Sequence, residues 1–218
     1  MPSDEDYRQT KRLKKSGASL PSPFQELADW ISATYDVRVL NVIYDTIIPD
    51  AQPRLSVVVD TEEDALKFQS GPFPNYNEID QQRVREHFES LFAGQRSHRF
   101  NVEKLLVIFV PFERVARIEA NESVTTDEID RLKSRLANKE LWEISRCFDR
   151  TTFFFYTNAQ VQRAEAARLR EVYAQEYARL VQPHDEFGYL QRRGVLFHFD
   201  SKENFDTNYQ GNWLSYYR

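Results

Sequence analysis

The chain has 218 residues, 41% of them apolar and 29% charged, a formal net charge of −5 and a single cysteine, Cys147. That length can bury a substantial core without disulfides or metals, and one cysteine excludes an intrachain disulfide, as suits a reducing compartment. An acidic balance argues against a nucleic-acid binder, which needs a basic face, and the longest apolar run, Leu105 to Phe112, is far short of the roughly 18 residues a membrane span requires.

Residues 1–20 are polar and mixed in charge, with Arg8, Lys11, Arg12, Lys14 and Lys15 set against Asp4, Glu5 and Asp6. No apolar signal segment follows the basic cluster. The expectation is a flexible charged tail ahead of one domain over 21–218, in a soluble cytoplasmic protein. The first helix is predicted at "PSPFQELADWISATY", with Ser22 and Gln25 as a capping box and Pro23 at the first helical position. Phe24, Leu27, Ala28, Ile31 and Tyr35 share one apolar face.

"DVRVLNVIYDTII" and "RLSVVVD" alternate and are rich in β-branched residues, with turn chemistry between them. They read as an antiparallel hairpin. Thr61 and Asp64 form a capping box for a short helix ending near Phe68. "SGPFPNYNE" reads as a loop, followed by a helix over about 79–92. "KLLVIFVPFERVARIEANES" gives the strongest strand signal, interrupted at Pro111. Thr125 and Glu128 cap the next helix. "TTFFFYT" is a short strand, a long helix covers about 159–181, and "GVLFHFD" is another strand. Asn212 to Tyr217 alternates as a last strand does, so its deletion is expected to destabilise the domain.

The predicted order is α-β-β-α-α-β-α-β-α-β-β. It implies an α+β fold: a single domain with a mixed, largely antiparallel sheet and helices packed on it. No internal repeat stands out, and a weak seam is placed at 94–103.

Chemical motifs are scarce. Asp200, Lys202, Asn204, Asp206 and Asn208 alternate like calcium ligands. Lys202, Phe205 and Gly211 stand where that loop needs an oxygen ligand, a glycine and a bidentate glutamate. The four histidines lack zinc spacing, and no metal or cofactor is expected. Asp50, Asp60 and Glu62 resemble the acids of a nuclease core, but the basic residue that core needs is missing. Nucleophile elbows and glycine-rich phosphate loops are absent. Cys147, flanked by Arg146 and Arg150, reads as a small core residue.

What remains is surface. Phe73 and Tyr76 in one loop, and Glu203, Asp206, Tyr209 and Trp213 near the end, form the candidate partner-binding set of aromatic and acidic side chains. The reading is a non-catalytic protein-binding module, in one version an acidic inhibitor or antitoxin-like protein acting on a basic partner. One alternative is an enzyme of hydrolase type in which Asp45, Asp60, His198 and Asp200 converge in the fold. Another is a structural subunit of a larger assembly.

Overall fold

The computed structural model describes residues 4–72, 74–91 and 100–218. The fold is α+β, and where one mixed sheet was expected the strands divide between two sheets of three. The chain separates into two compact units, Met1–Val115 and Ala116–Arg218. This division falls inside a helix rather than at the seam expected at 94–103, most of which lies outside the described residues.

The first unit runs α1 (Asp4–Ser16), α2 (Phe24–Tyr35), β1 (Val39–Ile47), β2 (Gln52–Val59), α3 (Glu62–Leu66), α4 (Glu78–Ser90), β3 (Leu106–Pro111) and the start of α5 (Phe112–Ser123). β1 and β2 are antiparallel, and β2 and β3 are parallel. Leu55, Val57 and Val59 of β2 point to a core shared with Leu27 and Ile31 of α2 and Val84 and Phe88 of α4. Phe68 stacks on Phe109 at its centre, ring centroids 3.8 Å apart.

The second unit continues with α6 (Thr126–Leu136), β4 (Leu141–Cys147), β5 (Arg150–Phe155), α7 (Asn158–Ala166), α8 (Leu169–Val181), α9 (Tyr189–Arg193), β6 (Leu196–Ser201), α10 (Lys202–Tyr209) and α11 (Trp213–Tyr216). Again the first pair of strands is antiparallel and the second parallel. Phe153 and Phe155 of β5 point to a core with Ile129 and Leu132 of α6 and Tyr173 and Tyr177 of α8.

The two units repeat one plan in detail. Both hairpins shift register near the start of the first strand, between Val39 and Asn41 and between Leu141 and Glu143. After each bulge a side chain takes the next backbone N–H: Val42 N donates to Asn41 Oδ1 (2.9 Å) and Ile144 N to Glu143 Oε1 (3.0 Å). Thr61 and Thr157 then close equivalent capping boxes on α3 and α7. The helices after the parallel strands supply one further carboxylate each. Glu113 Oε2 accepts from Glu62 N, and Glu203 Oε2 from Asn158 N, both at 2.9 Å. Each glutamate also donates its own N–H to the residue just after the middle strand, Asp60 O (3.0 Å) and Tyr156 O (3.1 Å). The sequence hides this duplication because the equivalent side chains differ: Asn41 against Glu143, Asp60 against Tyr156.

Several predicted elements change. Residues 4–16 of the expected flexible tail are α1. Its inward face is Tyr7, Thr10 and Lys14, of which only the first is apolar, so no amphipathic stripe was visible. Tyr7 stacks on Phe112 at 5.1 Å, Thr10 Oγ1 accepts from Asn41 Nδ2 at 3.0 Å, and Lys14 Nζ meets Asp60 Oδ1 at 2.7 Å. α2 begins at Phe24 without a side-chain cap, because Gln25 Oε1 accepts from Leu20 N instead. The strand signal around Pro111 ends there, and α5 follows with Phe112, Ala116 and Ala120 buried at four-residue intervals. β4 was unread because its bulge at Trp142 breaks the alternation. The expected long helix breaks at Arg168, which takes a left-handed conformation (φ 54°). The expected final strand is the short helix α11, capped by Asn212, whose Oδ1 accepts from Leu214 N and Ser215 N.

Lys14 and Asp60 are both nearly buried, so replacing the lysine takes from the carboxylate its partner at 2.7 Å, while the exposed Arg38 lies farther off at 3.5 Å. Lys14→Met is expected to lower the unfolding free energy by about 2 kcal/mol in urea melts. A flexible tail would give no change.

Candidate functional site

α10 and α11 lie on the face of the second sheet opposite its core. Thr152 and Phe154 alternate with the core-facing Phe153 and Phe155 and so project to this side. There Trp142, Phe154, Phe205, Trp213 and Tyr216 form one aromatic cluster. Trp213 stacks parallel to Trp142 (centroids 6.1 Å, 6°) and packs on Phe205 at 4.2 Å. Phe154 meets Tyr216 at 5.1 Å, and Lys202 Nζ sits 5.2 Å above Trp142.

Polar bonds hold the end of the chain beside this cluster. Tyr216 OH donates to Asp200 Oδ2 at 2.6 Å, and Tyr217 OH to Ser145 Oγ at 2.7 Å. Burial and the facing carboxylate of Asp200 push the Tyr216 phenol well above its ordinary pKa. His198 Nε2 lies 3.0 Å from Thr152 Oγ1. Burial, with Arg150 adding to it, lowers the His198 pKa, while Asp200 acts in the other direction. Burial raises the Cys147 thiol, against a smaller lowering by Arg150, so the flanking arginines do not activate it.

Four of the six residues singled out from the sequence meet here, and two carry structural duties. Glu203 is the carboxylate that caps α7, and Asp206 pairs with Lys202 one helical turn away. Tyr209 packs edge-on to Tyr216 at 4.9 Å. Trp213 remains 37% exposed, and Leu214 beside it 68%. Tyr76 belongs to the first unit, where it is half-buried, its OH donating to Phe109 O at 3.3 Å. Phe73 lies outside the described residues.

The acids of the alternative catalytic set are all engaged. Asp45 pairs with Arg54 at 2.5 Å, Asp60 with Lys14, and Asp200 accepts from Asn204 and Tyr216. Asp45 and Asp60 belong to the first unit, His198 and Asp200 to the second. Among the described residues no group of His, Cys, Asp and Glu could hold a metal ion, and no helix is long and apolar enough to cross a membrane.

Beside the aromatic cluster runs an open groove of about 500 Å³. Thr126, Ile129 and Asp130 of α6 form one wall, Trp213 forms the other, and Trp142 to Arg146 of β4 form the floor. The sequence reading missed Asp130 and Glu143. Asp130 is exposed and has no ion-pair partner among the described residues, and Glu143 accepts only the Ile144 N–H. A larger groove of about 610 Å³ between the end of α6 and α8 differs in this respect. Its Glu140 and Glu176 are paired with Arg163 and Arg135. Comparison with protein-family models, curated proteins and solved structures gave no match.

A lowered histidine pKa means the unfolded chain binds the proton more tightly. The stability held by neutral His198 is present above the unfolded value near 6.5 and is lost as pH falls toward the folded value. Burial lowers His87 in the same way. Urea melts at pH 7 and pH 5 are expected to show lower stability at pH 5, with His198→Gln removing part of that difference. Deleting residues 212–218 uncovers Phe154 and Trp142 and is expected to lower the melting temperature by roughly 4 °C or more. An unchanged melting curve would mean that the aromatic end does not support the unit.

Proposed function

We propose that the protein is a non-catalytic protein-binding module that takes a basic partner in the groove between α6 and Trp213. One observation carries this reading: the exposed Trp213, stacked on Trp142, stands beside two carboxylates, Asp130 and Glu143, that no cation of the described chain neutralises. A large aromatic anchor next to uncommitted charge is the composition of a binding hot spot. Two carboxylates left without cations favour a partner that brings its own.

The complementarity is local. The acidic excess of the chain lies between residues 21 and 115, where fifteen acidic residues outnumber nine basic ones, while residues 116–218 hold sixteen and fifteen. An inhibitor acting on a basic surface is one form of this reading, and a single cysteine suits its working in the cytoplasm. Engagement of Asp45, Asp60 and Asp200 by internal partners favours binding over catalysis.

Affinity capture from the native cells, repeated with variants, tests the reading. Trp213→Ala is expected to weaken capture of a stoichiometric partner by about tenfold or more. The double variant Asp130→Asn, Glu143→Gln is expected to weaken it several-fold at low salt and less at high salt. A stoichiometric partner held equally well by all three proteins would overturn the proposal.

A further inference from the structure

We infer that the groove binds its partner by strand addition: an extended segment alternating Lys or Arg with aliphatic residues pairs antiparallel with the free edge of β4. This rests on the protein-binding reading above and specifies its mode. The location comes first. α6 packs on the core face of the sheet, with Ile129 and Leu132 against Leu141 and Ile144. Trp213 packs on the opposite face, over Trp142 and Phe154. A groove that touches both α6 and Trp213 therefore runs along the rim of the sheet. β4 is the outer strand there, in the order β4-β5-β6.

The backbone of that rim is partly open. The two-residue turn Phe148-Asp149 joins Cys147 to Arg150, so the ladder bonds to β5 fall at Cys147, Ser145 and Glu143. The N–H and C=O of Arg146 and Ile144 then point outward. Two neighbouring outward groups are already taken: Glu143 Oε1 accepts from Ile144 N, and Trp142 O accepts from Lys133 Nζ. That leaves the Arg146 N–H, the Arg146 C=O and the Ile144 C=O. An antiparallel strand opposite Arg146 would exchange two bonds there and donate a third to Ile144.

Side chains occupy outward carbonyls on two other outer strands. Along β3 the carbonyls of Leu105, Val107 and Phe109 accept from Arg85, Gln81 and Tyr76 in turn. On β6 the Phe197 carbonyl accepts from Arg170. An unsealed rim invites pairing with another chain, and side chains alternating on an added strand would meet different walls. On one wall Asp130 calls for a cation; on the other the Trp213 ring suits an aliphatic side chain or the stem of a lysine.

The test uses the full chain and a blocked octapeptide of alternating lysine and valine, with a glutamate–valine octapeptide and a fully N-methylated lysine–valine octapeptide as comparisons. The lysine–valine peptide is expected to bind and to shift the Arg146 amide resonance, with affinity at least about tenfold above both comparisons. Arg146→Pro removes the outward donor without removing a ladder bond, as proline does on an edge strand. It is expected to lose binding at least about tenfold relative to Arg146→Ala, which keeps the N–H, with melting curves confirming that both fold. Strand addition is overturned if the N-methylated peptide binds equally, if the two Arg146 variants bind equally, or if the lysine–valine peptide does not bind at millimolar concentration. Equal binding of the glutamate–valine peptide would overturn the basic character of the partner. Should strand addition fail while Trp213→Ala still loses the captured partner, the binding reading stands alone; should both fail, the reading falls with it.

Discussion

Each unit is organised around a carboxylate that reaches from the start of one helix to the start of another. Glu113 and Glu203 follow directly after the third strand of their sheets, and each accepts the first backbone N–H of the helix that follows the second strand. Helix starts carry unpaired N–H groups and partial positive charge. Where parallel strands end side by side, two such starts come together, and in many α/β proteins an anionic ligand fills the gap. Here the chain fills it with its own glutamate. The same residue's N–H bonds back to the residue just after the middle strand. The side chain and the N–H of one residue therefore tie the start of the helix after the third strand to the segment that links the second strand to its own helix.

That closure moves attention from strand ends to strand edges. The bulges at Leu40 and Trp142 turn a side-chain oxygen onto the following N–H, and arginine, glutamine and tyrosine side chains occupy carbonyls on β3 and β6. Edges managed this way resist association. Along β4 the protection stops at Ile144. The open stretch runs beside Trp213 and Asp130, so backbone groups, an aromatic anchor and a carboxylate are available together. The aromatic cluster of α10 and α11 has two roles in consequence. It covers the outer face of the second sheet, and it raises one wall of the groove.

Much of the fold could be read from local chemistry. The capping boxes at Thr61 and Thr125 are present as expected. In the second, hydrogen bonds from Thr125 hold the Glu128 carboxyl down to about 2. The hairpin of β1 and β2 and the strands β3, β5 and β6 also follow from β-branched and aromatic runs. The losses have physical causes. α1 buries Thr10 and Lys14, residue types that mark surface in any composition argument. β4 is an edge strand with a bulge, so alternation failed where it was needed. α11 was misread because Trp213, Ser215 and Tyr217 mimic strand alternation, although Asn212 is a good helix cap. The candidate site was half legible. Trp213 stood out as an aromatic near the end, but Glu203 and Asp206 were chosen for charge and proved to be a cap and an ion-pair partner. Asp130 and Glu143 gave no signal, because the role proposed for them rests on the ion pairs they do not make.

The openness of the β4 edge is the point on which the account turns, and amide hydrogen exchange of the unbound protein measures it residue by residue. Ser145 and Cys147 donate to β5 and are expected to be protected, while the Arg146 amide between them faces the groove and is expected to exchange roughly a hundredfold faster. Arg146 protected to the same degree as its two neighbours would mean that the edge is already sealed, and would contradict the account.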